Sequence, residues 1–321
     1  MSESEDFLRA YNDVSKIISS LSEVVRGKTE ELKVIVATII SGGHVLIEGP
    51  PGSAKTLIAY GLSRVIGGKF KRVQGNPDLL PTDLTGYHIY SLDGTTRFIE
   101  GPVFANILMF DELNRTPPRS QSALLQAMAE YQVSIDGVTY DIPRPFHVIA
   151  TEIPIEEEIG IYPLTLTLRD RFWVKITSNY VEPEEELDIV KNSDILYDLG
   201  KVVFSESIGL DEFKWLQEFI DKGIYVDDRI VKYIVDLVNY IRRDERTALG
   251  PSHRGSIFLY RVAKSYALIN KRDYVIPDDI KHLAKPVLVH RVDVKEQYRA
   301  EGYGAEEIVE EALRKVPVPK E

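Results

Sequence analysis

The segment from residue 44 to residue 65 constrains the fold of this chain more than any other part of its sequence. It reads HVLIE, then GPPGSAKT, then a run with helical spacing that ends at Val65. Residues 49–56 match the phosphate-binding pattern G-x-x-x-x-G-K-[ST], except that Ala54 replaces the second glycine. Because this loop type joins a buried strand to a helix, the segment predicts the first βα unit of a parallel sheet.

The residue types in this loop suit a bound triphosphate. Gly49 and Gly52 allow the backbone angles and the close approach that phosphate binding by N–H groups requires. The helix that starts near Lys55 would point its positive end at the phosphates, with Lys55 on the β- and γ-phosphates and the Thr56 hydroxyl on Mg²⁺. Ala54 is tolerable there if its backbone is helical. The predicted nucleotide contacts are Gly49, Pro50, Pro51, Gly52, Ser53, Ala54, Lys55, Thr56 and Leu57.

A second carboxylate-bearing segment lies about 60 residues further along the chain. Residues 107–110 form an apolar run, suited to a strand buried on both faces, and Asp111 and Glu112 follow it directly. Ligands of open α/β sheets bind at the carboxyl ends of the strands. The pattern predicts that Asp111 holds Mg²⁺ and that Glu112 is catalytic, polarising the water that attacks the γ-phosphate.

The rest of the chain predicts two domains. Apolar strands alternate with helices up to residue 180, and two Asp-Gly pairs, at residues 93–94 and 136–137, predict hairpins over 88–99 and 132–141. From residue 181 to residue 321 the pattern is helical throughout. The predicted fold is therefore an αβα P-loop NTPase domain, residues 1–180, with two hairpin insertions, followed by a small all-helical lid, residues 181–321. Further strands are predicted at 70–74, 146–151 and 172–176, and helices at 28–41, 55–65 and 121–130.

Composition narrows the classes of partner. The net charge is −11 and the pI about 5.2, so the acidic chain makes nucleic acid an unlikely partner. There is no cysteine and hence no disulfide. The longest apolar run near the N-terminus, residues 34–40, is too short to span a membrane, so we expect a cytoplasmic protein without direct membrane insertion. The acidic run at 156–158 is interpreted as a solvated loop.

Three longer segments resemble one family. Residues 101–137, GPVFANILMFDELNRTPPRSQSALLQAMAEYQVSIDG, closely resemble the MoxR branch of the AAA+ ATPases, and residues 43–52 and 77–86 are similar to it as well. The resemblance extends from about residue 25 to residue 319. It implies rings of six chains with ATP at the subunit interfaces. It also implies hairpins that face the ring centre, and partner proteins that often carry von Willebrand factor A domains.

The resemblance also assigns candidate residues outside the loop. Arg171 falls at the position of the arginine finger, which would reach the γ-phosphate bound by the neighbouring subunit, and Arg169 is a rival for this role. Arg254 falls at the sensor 2 position of the lid. Arg115 is a further candidate to act across the interface. The segment that lies near the adenine is matched by Val25, Arg26 and Gly27.

One departure from the family pattern concerns the fourth strand. The family usually reads Ala-Thr-x-Asn-Pro there, whereas this chain reads Ala-Thr-Glu-Ile-Pro at residues 150–154. Ile153 thus stands at the sensor 1 position, where its side chain cannot hydrogen-bond the attacking water. Either Thr151 or Glu152 substitutes for the missing polar group, or hydrolysis is slow.

Three functions remain open at this point. The first is an ATP-hydrolysing remodeller that matures a partner protein complex, and Glu112 favours it. The second is a scaffold that binds ATP, assembles and hydrolyses little, and Ile153 motivates it. The third and least favoured is a DNA translocase, because residues 136–137 at one hairpin tip carry no basic side chain and the chain is acidic.

Overall fold

The computed structural model describes residues 3–154, 160–192, 201–205 and 207–319. Its strands are β1 (Val45–Glu48), β2 (Phe70–Gln74), β3 (Gly86–Tyr90), β4 (Thr96–Glu100), β5 (Ile107–Asp111), β6 (Gln132–Ile135), β7 (Val138–Asp141), β8 (His147–Glu152), β9 (Val174–Thr177), β10 (Thr247–Leu249) and β11 (Asp293–Val294). Its helices are α1 (Glu3–Val24), α2 (Thr29–Ile40), α3 (Lys55–Val65), α4 (Pro81–Thr85), α5 (Pro118–Gln121), α6 (Ala123–Glu130), α7 (Leu166–Arg169), α8 (Pro183–Lys191), α9 (Leu210–Gly223), α10 (Asp228–Arg243), α11 (His253–Ile269), α12 (Pro277–Leu288), α13 (Glu296–Ala300) and α14 (Ala305–Lys315).

The central sheet has five parallel strands in the order β2-β5-β8-β1-β9. The strands pair in register, with Glu48 opposite both Glu152 and Thr177, and Gln74 opposite Asp111. Their carboxyl ends therefore share one edge of the sheet, which is where ligands bind in this kind of fold. The predicted αβα class and the parallel sheet are confirmed.

Each face of the sheet is covered by its own hydrophobic core. Alternation along β1 sends Val45 and Ile47 into one core, with α1, α2 and α3, and sends Leu46 into the other, with α6 and α7. The first core continues without interruption into the C-terminal helices, where Leu259 and Leu283 belong to the same cluster. The helical region thus packs on the same side as the N-terminal helices.

Both predicted hairpins are present, and they pack against one another. The strands β3 and β4 form one antiparallel pair, and β6 and β7 form the other. His88 of β3 contacts Asp136 at 2.8 Å and the Tyr140 hydroxyl at 2.8 Å, and Phe98 stacks on Tyr140 with ring centroids 4.1 Å apart. The two insertions therefore form one unit beside the sheet.

The predicted helical lid is confirmed, with one addition. The short antiparallel ribbon of β10 and β11, with Thr247 opposite Val294, lies within it. The prediction of an all-helical region missed this ribbon because strands of three and two residues are too short to show alternation.

Most element bounds were predicted closely. The helix predicted over 121–130 is divided by Ser122 into α5 and α6, and the strand predicted over 172–176 begins at Val174. The domain boundary at 180/181 stays a prediction, and the acidic run at 156–158 lies outside the described residues. Within the part of the chain that is described, no helix has the length and apolar character that crossing a bilayer requires.

Candidate nucleotide site

The phosphate-binding loop leaves the sheet at the end of β1 and enters α3 at Lys55. A Cβ atom on Gly49 would lie 2.1 Å from the carbonyl oxygen of Ser178, so no other residue fits there. Gly52 has a φ of 82° and open space around it, so it is required for its backbone angle rather than for room. The two glycines thus serve two different needs of the loop.

The structure corrects the expectation for Ala54. Its backbone is left-handed, with φ 63° and ψ 12°, rather than helical, and it caps the N-terminus of α3. Glycine adopts this conformation without penalty, whereas an L-residue is strained in it. Consecutive residues in such turns point their N–H groups into a common hollow that favours anions. Ala54 therefore keeps the shape of the loop at a cost in backbone energy.

The ammonium group of Lys55 lies inside the loop. Its Nζ donates to the carbonyl oxygens of Gly49 at 2.8 Å and Pro50 at 2.6 Å, and to the Ser53 hydroxyl at 3.1 Å. Burial lowers the pKa of Lys55, while the nearby Asp111 carboxylate acts in the opposite direction. A phosphate in the loop would offer this cation a charged acceptor in place of neutral ones.

Asp111 lies at the centre of a polar cluster at the carboxyl edge of the sheet. Its Oδ2 is 3.5 Å from the Thr56 hydroxyl, and its Oδ1 accepts a hydrogen bond from Thr151 at 3.3 Å. The guanidinium of Arg72, from the neighbouring strand β2, donates to Oδ2 at 2.7 Å. Sequence reasoning missed Arg72, and only the register of β2 against β5 could have indicated it.

Glu112 follows Asp111 in a left-handed conformation, with φ 51° and ψ 50°. Its backbone N–H donates to the Thr151 hydroxyl at 2.8 Å, and its carboxylate pairs with Arg115 at 2.8 Å. Arg115 was a candidate to act across a subunit interface, but the structure places it on the Glu112 of its own chain. Strained backbone of this kind is common at functional sites.

The two candidate substitutes for the missing sensor 1 group, Thr151 and Glu152, have different surroundings. Glu152 points to the other face of the sheet edge, where it pairs with Lys175 at 2.6 Å, and burial raises its pKa. Thr151 instead lies on Asp111 and Glu112. The backbone of Ile153 is held by the buried Asn114, whose side chain accepts from its N–H at 3.1 Å and donates to its carbonyl at 2.7 Å. The contacts therefore favour Thr151 over Glu152 as the substitute, and slow hydrolysis stays the alternative.

The predicted adenine segment lies beside the loop. The side chain of Lys28, next to Gly27, is buried and donates to Ser178 and to the carbonyl of Asn179, the same segment that Gly49 touches. Val25 is buried and Arg26 is exposed. A Cβ on Gly27 would meet Glu185 at 2.4 Å, so this glycine allows α8 to approach.

Arg171 and Arg254 lie together, away from the loop of their own chain. Arg171 precedes β9, whose first residue pairs with the first residue of β1, whereas the loop follows the last residue of β1. The sheet thus separates them by its strand length, roughly 13 Å for four residues at about 3.3 Å each. Arg254 pairs with Asp170 at 3.1 Å, and its charge lowers the pKa of Arg171, after burial as the larger cause.

Arg169 and Arg171, the two candidates for the arginine finger, differ in their contacts. Arg169 is committed to Asp293 of the lid at 2.8 Å. Arg171 donates only from Nη1 to the carbonyl of Thr167 at 3.0 Å, and its buried Nε has no hydrogen-bond partner among the described residues. Arg171 is therefore the arginine whose guanidinium is left to serve another acceptor.

Comparison with known proteins shows the family of the chain. Residues 44–174 match the model of the ATPase family associated with various cellular activities, and residues 240–312 match an AAA lid domain. The chain is 40% identical to the uncharacterized protein YeaC of Bacillus subtilis, over 95% of each chain. It is 38% identical to "Chaperone MoxR1" of Mycobacterium tuberculosis, over 96% of this chain and 82% of that one. The chain belongs to the MoxR-type AAA+ ATPases.

A solved structure carries the same conclusion for the fold. A crystal structure from Cytophaga hutchinsonii matches with a TM-score of 0.89 and 36% identity, over 99% of this chain and 98% of that one. The match includes the lid as well as the sheet domain. The region that matches the ATPase family, residues 44–174, includes both the loop at Lys55 and the acidic strand end at Asp111.

Proposed function

We propose that this protein binds ATP with Mg²⁺ at the loop around Lys55 and hydrolyses it with the help of a neighbouring copy. The observation that carries the proposal is the meeting of Lys55, Thr56, Asp111 and Glu112 at one edge of the sheet. Lys55 and the loop N–H groups bind the phosphates. Glu112 accepts the proton of the attacking water and orients it.

The oxygen donors fit Mg²⁺. Thr56 and Asp111 present a hydroxyl and a carboxylate 3.5 Å apart, and magnesium prefers such ligands together with phosphate oxygens. When bound, the metal neutralises charge on the phosphates. Asp111 would release the guanidinium of Arg72 to hold the metal. Thr151 keeps the Asp111 carboxylate and the Glu112 backbone aligned. It would thereby take over the ordering of the site, which the apolar side chain of Ile153 cannot provide.

The second half of the site would come from another chain. Arg171 and Arg254 lie at the opposite edge of the sheet from their own loop, so they can serve only a nucleotide held elsewhere. A head-to-tail contact between copies brings one edge to the other and closes into a ring, for which we propose six subunits. Each subunit of the ring would consist of a nucleotide domain, up to about residue 180, and a lid that follows it.

We infer further that turnover remodels or matures a partner protein complex in the cytoplasm. The relative named as a chaperone supports this function. The paired hairpins present exposed Tyr87, Ile89, Tyr90 and Leu92, a surface suited to protein rather than to a phosphate backbone. A partner with a von Willebrand factor A domain is one candidate.

The variant Glu112→Gln tests hydrolysis directly. It keeps the size of the side chain and removes the base, so we expect ATP turnover to fall by about 10²- to 10⁴-fold while ATP binding is retained. Steady-state phosphate release and equilibrium binding of a fluorescent ATP analogue measure the two quantities. Lys55→Ala is the matched control, because it should weaken binding itself.

The same measurement separates the alternative. A wild-type rate that is already negligible and does not change in Glu112→Gln, with ATP bound, would indicate an ATP-switched scaffold. Stimulation of turnover by DNA at low salt would instead indicate a translocase.

A further inference from the structure

The turn that precedes β11 in the lid contacts the segment that carries Arg171. This turn, Val289–Arg291, is a single 3-10 turn at the end of α12, and both His290 and Arg291 are buried. The segment from Asp170 to Trp173 links α7 to β9. The contact joins the two domains at the point where the proposed finger leaves the sheet.

Arg291 contributes most of this contact. Its Nε donates to the Asp170 carboxylate at 3.2 Å, and its terminal nitrogens donate to the backbone carbonyls of Asp170 and Trp173, each at 3.3 Å, and of Phe172. His290 adds a hydrogen bond to the carbonyl of Phe172 at 3.0 Å. Carbonyls on both sides of Arg171 are thus held by one lid side chain.

Burying this charged guanidinium costs free energy, and an apolar side chain could fill the same space without that cost. Its side chain is 1% exposed, and burial lowers its pKa to about 10 in spite of the Asp170 carboxylate. Arginine suits such a place because its planar fork of five donors can satisfy several fixed acceptors at once. Lysine has neither the fork nor the reach in two directions.

Asp170 extends the contact to a second lid element. Its carboxylate accepts from Ser252 at 2.9 Å and from Arg254 at 3.1 Å, at the start of α11. Asp170, the residue before Arg171, is therefore hydrogen-bonded to two parts of the lid. A rotation of the lid relative to the sheet has to move these acceptors or break the hydrogen bonds to them.

We propose that Arg291 is a positioning residue that couples the lid of each subunit to the arginine finger it offers to the next. The inference rests on the proposed role of Arg171 in trans. A lid movement in one subunit thereby changes hydrolysis in its neighbour, and the signal passes through the backbone hydrogen bonds of Arg291. Arg291 would act through the segment that carries Arg171 and not on the nucleotide itself.

The variant Arg291→Met tests this coupling. It retains a long buried side chain and removes every donor, so the segment from Asp170 to Trp173 loses its hydrogen bonds to Arg291. We expect kcat for ATP to fall by about 10- to 100-fold, because small misplacements of a catalytic group cost rate in this range. The apparent affinity for ATP should change little. Arg272→Met is the control within the lid: Arg272 is partly buried and pairs with the buried Asp279 at 2.6 Å, and the loss of this pair should leave kcat intact.

Mixing with Glu112→Gln distinguishes positioning from a general defect. Arg291→Met has an intact loop site and a misplaced finger, whereas Glu112→Gln has a dead loop site and an intact finger. An equimolar mixture should recover up to about a quarter of the wild-type rate, the share of interfaces that pair the two intact halves at random. Lys55→Ala mixed with Glu112→Gln should recover nothing.

Each outcome has one meaning. If Arg171→Ala is rescued by Glu112→Gln but Arg291→Met is not, the coupling role is overturned while the finger in trans stands. If Arg171→Ala is not rescued either, the proposed function itself fails. If Arg291→Met melts well below the Arg272→Met control, Arg291→Lys is taken through the same kcat and mixing assays. The proposal then requires the lysine variant to show a reduced kcat that mixing restores.

Discussion

At the scale of single residues, one position of the nucleotide loop has a backbone conformation that its residue type does not favour. Ala54 takes the left-handed backbone that the missing glycine would adopt freely. The loop pattern marked the substitution, but the condition for tolerating alanine, a helical backbone, is not met, because the first helical residue is Lys55. Dihedral angles at a turn depend on closing the loop against Ser178, which a sequence pattern does not contain.

Ala54→Gly should therefore stabilise the protein. Relief of left-handed strain contributes about 1–2 kcal/mol, and the greater freedom of glycine in the unfolded chain offsets roughly 0.5–1 kcal/mol of it. We expect the free energy of unfolding to rise by about 0.5–1 kcal/mol in urea titrations. Ala59→Gly, in the buried interior of α3, is the control and should lower it by about 1 kcal/mol or more. Equal destabilisation by both changes would contradict the strain at Ala54.

Other residues of the site could not be found from sequence, for a different reason. Arg72 meets the Asp111 carboxylate through strand register and belongs to no local motif, and the contact of Arg115 with Glu112 of its own chain depends on a 3-10 turn. Lys55, Thr56, Asp111 and Glu112 could be predicted, because backbone geometry alone brings a loop and a neighbouring strand end together. The motif supplies the chemistry, whereas the partners that hold its carboxylates depend on the complete fold.

At the scale of elements, two buried histidines lie side by side where β1 and β8 begin. The Nδ1 atom of His44 accepts from the Val148 N–H at 3.0 Å, and its Nε2 lies 3.1 Å from the carbonyl of Met128. His147 donates from Nδ1 to the carbonyl of Gly43 at 2.8 Å. Both rings are satisfied in their neutral forms, and burial lowers the pKa of His44 to about 3 and that of His147 to about 4.

These histidines predict a loss of stability in mild acid. Their folded pKa values lie below the unfolded value of about 6.5, so between pH 6.5 and pH 4 the unfolded chain binds protons that the folded chain does not. Folding therefore weakens as the pH falls through this window, by roughly 3 kcal/mol for each histidine at about 1.4 kcal/mol per pH unit.

Urea unfolding at pH 7 and pH 5 measures the effect. His147→Gln should reduce the difference between the two pH values, and His253→Gln, at an exposed position, should leave it unchanged. A pH difference of the same size in all three proteins would show that other groups cause it.

The elements themselves were predictable to different degrees. Buried strands such as β5 are almost entirely apolar, and Asp-Gly turns mark the hairpins. Both were therefore predicted close to their observed bounds. The ribbon of β10 and β11 was missed for two reasons. Its strands are too short to show a pattern, and the paired residues lie about 45 positions apart in the sequence.

At the scale of the whole molecule, the two halves of the proposed active site lie on opposite edges of one rigid sheet. The loop at Lys55 follows the end of β1, and Arg171 precedes the start of β9. No bending of a short parallel sheet can bring them together within one chain. The resemblance to MoxR-type proteins predicted a finger in trans, and the fold supplies a physical reason for it.

The most direct measurement is therefore ATP turnover per chain against protein concentration, with the assembled fraction followed in the same samples by light scattering. We expect the rate per chain to rise steeply across the concentration range in which assembly occurs. Arg171→Ala should assemble over the same range with a rate that stays low at every concentration, by about 10³-fold at full assembly. A wild-type rate per chain that is constant through the assembly transition, or an Arg171→Ala rate that rises with it to the wild-type value, would contradict a site shared between subunits.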